Sequence, residues 1–233
     1  MSSSQFLKFI EVWQKDFAIE RSIDEKVCLD KNGQPIPWYT YPAIEYLSQF
    51  DYSDKCVFEY GCGYSSPFWA NRAQKVISVE DNESWYQKWK DSFSADNLIF
   101  KLRAEGCDYY KAIMETDDFF DVIIVDGKCR AECAKYALTR LKPGGIIILD
   151  DSDRINTSQE YVIAVETLRN ANLLQIDFYG FCPMDNYTKA TSVFFSRDFN
   201  FKSLHPVQPI NGIGNLWGMP RKQRKSFYKS NKS

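Results

Sequence analysis

The sequence predicts a doubly wound α/β domain, in which a seven-stranded, mostly parallel sheet ends in an antiparallel hairpin and follows a helical cap. Five short, nearly continuous apolar runs follow one another from residue 55 onward, and amphipathic segments separate them. Continuous apolarity is typical of strands that are buried on both faces of a sheet. Two further strand-like runs, joined by a turn-rich stretch without a helix, should pair antiparallel.

Length and composition agree with one globular domain and its appendages. The chain has 233 residues, of which 44% are hydrophobic and 16% aromatic, so it can bury a core and is neither collagen-like nor wholly disordered. No apolar stretch approaches the roughly 18 residues of a membrane span, and the N-terminal residues lack the pattern of a secretion signal. We therefore expect a cytoplasmic protein without a membrane span.

The first fifty residues are predicted to form the helical cap. Four large apolar residues recur there at helical spacing: Phe6, Ile10, Trp13 and Phe17. This spacing predicts an amphipathic helix over residues 5 to 20, and Pro42 can open a second helix. The predicted boundaries are residues 1–50 for the cap, 51–199 for the core and 200–233 for a C-terminal extension with a basic tail.

In the core, predicted strands alternate with predicted helices. The five apolar runs are CVFEYG, KVISVE, NLIFKL, DVIIVDG and GIIILDD, and the closing pair is LLQIDFYGF and ATSVFFSR. Helices are predicted at residues 67–73, capped by Ser66, and at 83–93, 107–115 and 130–141. A fifth helix is predicted to start at Thr157, with Glu160 completing a capping box. The alternation implies right-handed crossovers between parallel strands.

Charge and cysteine content exclude several classes of function. The net charge is −2, yet every charged residue after Asp198 is basic: Lys202, Arg221, Lys222, Arg224, Lys225, Lys229 and Lys232. A solvated tail is the simpler interpretation, and contact with phosphates or anionic lipid is the alternative. Seven cysteines without a C-x-x-C pair, together with the lone histidine His205, argue against zinc sites and disulfide frameworks.

The strongest chemical signal is the first strand with its turn, VFEYGCGYSSPFWA. Gly61 and Gly63 lie where a strand leads into a helix, and a residue without a side chain allows a sharp turn and a close approach to a ligand. Nineteen residues after Gly61, Glu80 closes the second strand, at the spacing expected of a carboxylate that binds ribose hydroxyls. The alternative for Glu59 and Glu80 is that of surface carboxylates at strand ends.

From about Cys56 to Arg197, the sequence resembles the class I S-adenosylmethionine-dependent methyltransferases, and it looks like the bacterial or viral type associated with glycan assembly. The matching features are the acidic-x-Gly-x-Gly turn at Glu59, Gly61 and Gly63, the acids Glu80 and Asp126 at strand ends, the Pro-Gly-Gly turn at residues 143–145 and the closing hairpin. Ser65 stands where the family often has a third glycine. The resemblance implies a Rossmann-like fold and S-adenosylmethionine as the methyl donor.

The resemblance also implies which residues contact this cofactor. Glu80 would bind the ribose diol, and the backbone from Glu59 to Gly63 would approach the methionine part. A residue after the third strand would lie beside the adenine, where Ala104, Glu105 and Asp108 are the candidates and Glu105 is preferred. The predicted cofactor-binding set is Glu59, Gly61, Gly63, Ser65, Glu80, Glu105 and Asp126.

Two strands that should be neighbours in the sheet end in carboxylates, Asp126 on one and Asp150 and Asp151 on the other. All three acids should meet near the methyl group, on the same rim as the cofactor turn. Methyl transfer is an in-line displacement in which the protein aligns the acceptor and removes its proton, and Asp126 and Asp151 are the predicted catalytic residues. Alternatively, Asp126, Asp150 and Asp151 bind Mg²⁺, as in the catechol-type branch, where the second pair is usually Asp-Asn.

Aromatic residues ahead of the core are candidate acceptor contacts. Trp38 and Tyr39 lie outside the helical periodicity, and flat rings suit the faces of sugars, although core packing is the alternative. His205 is a further candidate base, and an exposed loop histidine is the simpler interpretation.

The predicted function is therefore O-methylation of a sugar, a glycan or a small hydroxylated acceptor. An NAD(P)-dependent oxidoreductase is the alternative enzyme. A non-enzymatic nucleic-acid-binding module ranks last, because the acidic body of the chain would repel a polyanion.

Overall fold

The computed structural model describes residues 3–218, 220–222 and 224–225. Its strands are β1 (Cys56–Tyr60), β2 (Lys75–Glu80), β3 (Leu98–Leu102), β4 (Phe120–Val125), β5 (Leu141–Asp150), β6 (Leu174–Phe181) and β7 (Thr188–Phe195). Its α-helices are α1 (Ser3–Lys15), α2 (Ile19–Glu25), α3 (Tyr41–Leu47), α4 (Ser65–Ala70), α5 (Glu83–Ser92), α6 (Cys107–Tyr110), α7 (Arg130–Arg140) and α8 (Gln159–Asn170). Short 3-10 helices span Ala112–Glu115, Arg154–Asn156 and Leu216–Gly218.

All seven strands belong to one sheet, in the order β3-β2-β1-β4-β5-β7-β6. The first five strands pair in parallel, whereas β7 pairs antiparallel with both β5 and β6. The predicted mostly parallel sheet with an antiparallel hairpin is confirmed. The chain runs from β1 to one edge of the sheet and then returns to β4 beside β1, which is the strand order of a doubly wound fold.

The apolar runs of the central strands fill a core on each face of the sheet. In β5, Ile146 and Ile148 pack into one cluster, and Ile147 and Leu149 pack into the other. Helices α6, α7 and α8 cover the second cluster, while α3, α4 and α5 cover the first. A strand with both faces covered needs continuous apolarity, and this explains the pattern in the sequence.

The predicted single helix over residues 5 to 20 is wrong, because the chain breaks it at Ala18. Ala18 has a φ of 51°, in the left-handed region, and it separates α1 from α2. The ring of Phe17 stacks on Trp13 at 4.5 Å between centroids and meets Tyr41 edge-on at 4.7 Å. These aromatic contacts hold the break against α3 and offset the cost of the left-handed residue.

Several other element boundaries differ from the predicted ones. Helix α8 is capped by Ser158, whose hydroxyl accepts from the Glu160 amide at 3.3 Å, so the predicted cap at Thr157 is one residue too early. Helix α4 begins at Ser65 rather than Pro67. The helix predicted over residues 107–115 is instead the short α6 followed by a 3-10 turn.

The Pro-Gly-Gly segment lies inside β5 rather than in a turn before it. The register of β5 against β4 shifts between Phe120 and Val122, which marks a bulge. Gly144 has a φ of 77°, and a Cβ on Gly145 would lie 2.8 Å from the carbonyl oxygen of Asp121. Glycine is therefore required here by the bulge geometry.

The chain after β7 folds back along the cap side of the sheet. Phe199 and Phe201 pack against the first core cluster, and the Leu204 amide donates to the carbonyl of Gln49 at 2.8 Å. Two residues of the predicted basic tail, Lys229 and Lys232, lie outside the described residues. Within the described part of the chain, no helix combines the length and apolarity that crossing a bilayer requires.

Candidate functional site

The carboxyl ends of β1, β2, β4 and β5 lie along one rim of the sheet, where the strand order reverses between β1 and β4. A cavity of about 490 Å³ opens at this reversal point, which is where open α/β sheets bind their ligands. A larger cavity of about 740 Å³ lies between the cap and residues 209–218, and none of the predicted cofactor or catalytic residues lines it. The rim cavity is therefore the candidate site.

The loop after β1 forms one wall of the cavity. Gly61 has a φ of 93°, and a Cβ there would lie 2.7 Å from the carbonyl oxygen of Asp126, so only glycine fits. At Gly63, a Cβ would meet one atom within 4 Å, the indole nitrogen of Trp85 at 4.0 Å. The indole N–H of Trp85 donates to the carbonyl of Cys62 at 2.6 Å and fixes the outer side of the loop.

Glu80 connects β2 to this loop. One of its carboxylate oxygens accepts a hydrogen bond from the Cys62 amide and the other accepts from the Asn82 amide, both at 3.0 Å. Burial raises the pKa of Glu80, and the two amides oppose this effect. The carboxylate lines the cavity and has lone pairs left for two more donors, as a ribose diol would require.

Glu59 lies behind the loop and not on the cavity wall. It is fully buried, and its carboxylate accepts from three hydroxyls, those of Ser65, Ser66 and Ser78, with Ser66 at 2.5 Å. Burial raises the pKa of Glu59 to about 7, against the opposing effect of these hydroxyls. Its place in the structure is that of a residue that shapes the loop from below.

The other predicted cofactor residues divide in the same way. Gly61, Gly63, Ser65, Glu80 and Asp126 line the cavity. Glu105 is exposed on the loop after β3 and is not part of the lining. Asp81 and Trp85, which follow β2, line the cavity on that side.

The three aspartates predicted to meet do so. Oxygens of Asp126, Asp150 and Asp151 lie within 4.8 Å of one another at the ends of β4 and β5. Burial raises the pKa of Asp126 to about 8, and the neighbouring Asp150 adds to the rise while Arg130 opposes it. Burial also raises the pKa of Asp150, although Lys189 opposes it. Asp151 has a φ of 56°, a left-handed conformation that stores strain at the end of β5.

Basic side chains lie between these carboxylates. The Lys189 ammonium lies 2.5 Å from an oxygen of Asp150 and 3.1 Å from an oxygen of Asp151. The Arg130 guanidinium lies 3.0 Å from Asp126 and 3.6 Å from Asp151. Burial acts against the charge of Lys189, but Asp150 and Asp151 outweigh it and raise the pKa of the ammonium. Because Lys189 and Arg130 already contact all three carboxylates, the arrangement does not fit the alternative of a resident Mg²⁺ ion.

Trp38 is a partly exposed residue of the cavity lining. Its indole N–H donates to Asp185 at 2.9 Å, and its ring centroid lies 5.9 Å from the Lys189 ammonium. Tyr39, the other predicted acceptor contact, is fully buried and is not part of the lining. His205 is not part of it either.

A chain of hydrogen bonds ties the segment that carries Trp38 to the floor of the site. The Thr40 amide donates to the hydroxyl of Thr191 at 3.0 Å, and this hydroxyl donates to Asp150 at 2.6 Å. Thr191 and Asp150 are direct partners in the β5 and β7 pairing.

Arg130 and Lys189 are charged residues of the candidate site that the sequence analysis missed. Arg130 begins α7 four residues after Asp126, but Asp126 lies in the loop after β4 and outside the helix, so the helical spacing of opposite charges is no signal for their contact. Lys189 meets Asp150 only through the long-range pairing of β7 with β5, and no local pattern indicates it.

Comparison with known proteins shows the fold. No protein-family model matches the chain, and no curated protein matches it at a significant level. Among solved structures, it is similar to an O-methyltransferase from Bacillus cereus in complex with SAH, with 15% identity over 79% of this chain and 99% of the other and a TM-score of 0.56. It is also similar to the O-methyltransferase TomG from Streptomyces achromogenes, involved in tomaymycin synthesis and in complex with SAM, with 14% identity over 80% and 89% of the chains and a TM-score of 0.54.

A third similar structure is the precorrin-6y C5,15-methyltransferase from Geobacter metallireducens, with 15% identity over 75% of this chain and 96% of the other and a TM-score of 0.54. All three comparisons extend over most of both chains. The chain has the Rossmann-like fold of S-adenosylmethionine-dependent methyltransferases.

Proposed function

We propose that this protein is an S-adenosylmethionine-dependent methyltransferase that methylates an oxygen of a sugar, a glycan or a small hydroxylated acceptor. The observation that carries the proposal is the position of Glu80. Its carboxylate is fixed by two backbone amides on the wall of the rim cavity, in the place where the fold binds a nucleoside. The similar structures that contain SAM or SAH support the same cofactor.

The charges around the cavity favour a cationic ligand over a pyrophosphate. Among the described lining residues, six are carboxylates and four are basic, and the acids Glu80 and Asp81 stand beside the glycine loop. A dinucleotide would place two phosphate charges against this loop, whereas a sulfonium nucleoside carries no phosphate. This electrostatic argument favours the methyltransferase over the NAD(P)-dependent oxidoreductase.

When bound, S-adenosylmethionine supplies a methyl group on a sulfonium, which is already activated for in-line transfer. The residues of this chain then have to orient the acceptor and accept its proton. Asp126 suits the second task because its carboxylate lines the cavity, is half-buried and has its pKa raised to about 8. A base with a pKa near the working pH is the most effective. Asp151 is the second candidate, and its carboxylate is ion-paired with both Lys189 and Arg154.

The mouth of the cavity supports a hydroxylated acceptor. Trp38 and Tyr187 present partly exposed rings there, and Tyr161 and Asp185 add groups that can exchange hydrogen bonds. Aromatic rings bind the apolar faces of sugars, while carboxylates and tyrosine hydroxyls bind sugar hydroxyls. We therefore propose that the acceptor binds beside the rings of Trp38 and Tyr187.

The proposal is tested by calorimetric titration of the purified protein with SAM, SAH and NADH. We expect SAM and SAH to bind at one per chain with micromolar affinity and to compete with each other. The methyl acceptor is then sought by transfer of a labelled methyl group to nucleotide sugars, oligosaccharides and catechols. NADH binding that SAM does not displace would replace the methyltransferase with the oxidoreductase.

A further inference from the structure

The aspartate cluster at the ends of β4 and β5 contains its own cations. Three carboxylates, those of Asp126, Asp150 and Asp151, meet three basic groups, those of Arg130, Arg154 and Lys189. Arg154 approaches Asp151 at 3.2 Å from the partly exposed side, whereas Arg130 and Lys189 are buried. Buried charges are stable only when they are paired in this way.

Lys189 occupies the position that a bound cation would need. Its ammonium contacts oxygens of both Asp150 and Asp151, and the second oxygen of Asp150 accepts from the Thr191 hydroxyl at 2.6 Å. A divalent ion binds carboxylate oxygens at about 2.0 to 2.6 Å, so it would compete with the ammonium for the same oxygens.

Moving the Lys189 ammonium away from Asp150 and Asp151 would also be unfavourable. Lys189 lies in β7, which is paired on one side with β5 and on the other with β6, and the side chain is only 8% exposed. Removing one partner of a buried ion pair is strongly unfavourable, because it leaves an uncompensated charge. Any ion that displaced Lys189 would have to overcome this cost.

We propose that the Lys189 ammonium is a built-in substitute for a divalent cation, so that the aspartate cluster binds no metal and methyl transfer proceeds without one. Lys189 is a positioning residue in this scheme, since it acts by holding Asp150 and Asp151. The exclusion of metal follows from the geometry of the cluster. Metal-free methyl transfer rests, in addition, on the function proposed above.

The test is a Mn²⁺ titration followed by the electron paramagnetic resonance signal of the free ion, in mildly alkaline buffer. The wild type, Lys189→Arg and Lys189→Met are compared, with Lys142→Met as the matched control. Lys142 also pairs with an aspartate, Asp121, but lies outside the cavity lining. We expect Lys189→Met to bind one Mn²⁺ per chain at least about ten-fold more tightly than the wild type, since removing the ammonium frees the carboxylates as ligands. The other two variants should resemble the wild type.

A second substitution identifies the site of any bound ion. When Asp151→Asn is combined with Lys189→Met, the double variant should lose the Mn²⁺ affinity that Lys189→Met alone creates. Two results would overturn the proposal. One is that the wild type binds one Mn²⁺ per chain and that Asp151→Asn abolishes this binding. The other is that Lys189→Met folds but binds Mn²⁺ no more tightly than the wild type. If Lys189→Met does not fold, the wild type and Asp151→Asn decide the question by themselves.

Activity provides an independent measurement. We expect EDTA to leave the rate of methyl transfer unchanged, and a loss that Mg²⁺ restores would contradict the inference. The two proposals fail in different ways. A protein that binds neither SAM nor SAH disproves the methyltransferase, while the Mn²⁺ titration still decides whether the aspartate cluster is a metal site.

Discussion

The carboxylate of Glu80 accepts a 3.0 Å hydrogen bond from the amide of Cys62, and this bond joins the end of β2 to the glycine loop. The same carboxylate accepts from the Asn82 amide, so its orientation is fixed before any ligand arrives. Preorganised acceptors of this kind lower the entropic cost of binding. Removing the charge of Glu80 should therefore affect the cofactor directly.

Glu80→Gln is expected to weaken the binding of SAM and of SAH equally, because both ligands carry the ribose. Glutamine keeps the shape but loses the charge and one acceptor, and a charge-assisted hydrogen bond contributes about 1 to 3 kcal/mol, or roughly 5 to 150-fold in Kd. Calorimetric titration measures the change. Glu83→Gln, an exposed residue on α5 outside the lining, is the control and should bind as the wild type does. If Glu80→Gln bound SAM and SAH as tightly as the wild type does, the proposed contact between Glu80 and the ribose would be wrong.

Asp126→Asn is expected to lower kcat by roughly 10² to 10⁴-fold, the usual contribution of a general base. The pKa of Asp126 is raised to about 8, and the carboxylate must be unprotonated to accept a proton, so the wild-type rate should rise with pH through about 8 and then level off. The variant should lack this rise. Steady-state rates over a pH series measure both effects, and SAH titration checks that the cofactor site is intact. A variant with the full wild-type pH profile would exclude Asp126 as the base.

The raised pKa of Glu59 implies that the stability of the fold depends on pH. This pKa is about 7 in the fold and about 4.5 when unfolded, so the folded state holds the proton more tightly. The contribution of Glu59 to the free energy of unfolding is therefore fully present below the unfolded pKa and is lost as the pH rises through about 7. The loss is of order 3 kcal/mol. Denaturant unfolding at several pH values measures it, with Glu59→Gln as the comparison. The variant should lose less stability than the wild type over this range, and parallel curves for the two proteins would contradict the assignment.

Substitution of Trp38 is expected to weaken acceptor binding and to leave cofactor binding unchanged. Trp38→Ala should raise the KM for the acceptor by about ten-fold, since stacked aromatic contacts in binding sites contribute about 1 kcal/mol or more. Trp38→Phe keeps a ring but loses the bond to Asp185, so it separates stacking from hydrogen bonding. Initial rates at varied acceptor concentration give the KM, and SAH titration should give the wild-type Kd for both variants. A weakened SAH affinity would place Trp38 on the cofactor side.

Much of the fold could be predicted from the sequence because strand signals are local. The run GIIILDD is apolar at every central position, and the structure buries Ile146 to Leu149 on both faces of the sheet. The break at Ala18 could not be predicted in this way. Alanine has no preference for the left-handed region, and the cause of the break is the packing of Phe17 against Tyr41, which comes from another segment.

The candidate site divides along the same line. The aspartates could be predicted to meet, because the carboxyl ends of neighbouring parallel strands share a rim. The cations between them depend on pairing across the sheet, and the register that brings Lys189 to Asp150 is not encoded in either strand alone. The sequence therefore indicated the carboxylates of the ion network and suggested that a metal binds them. In the structure, the ammonium of Lys189 contacts Asp150 and Asp151 instead.

The bond from the Thr40 amide to Thr191 joins residues that are 151 positions apart in the chain. It links the segment before α3 to the hairpin strand whose hydroxyl also supports Asp150. A fragment that starts at the boundary predicted for the core, residue 51, lacks this donor and Trp38 together. Truncated versions made for crystallography or engineering should consequently retain the N-terminal fifty residues, since removing them would delete Trp38 from the cavity lining and the amide that binds Thr191 behind Asp150.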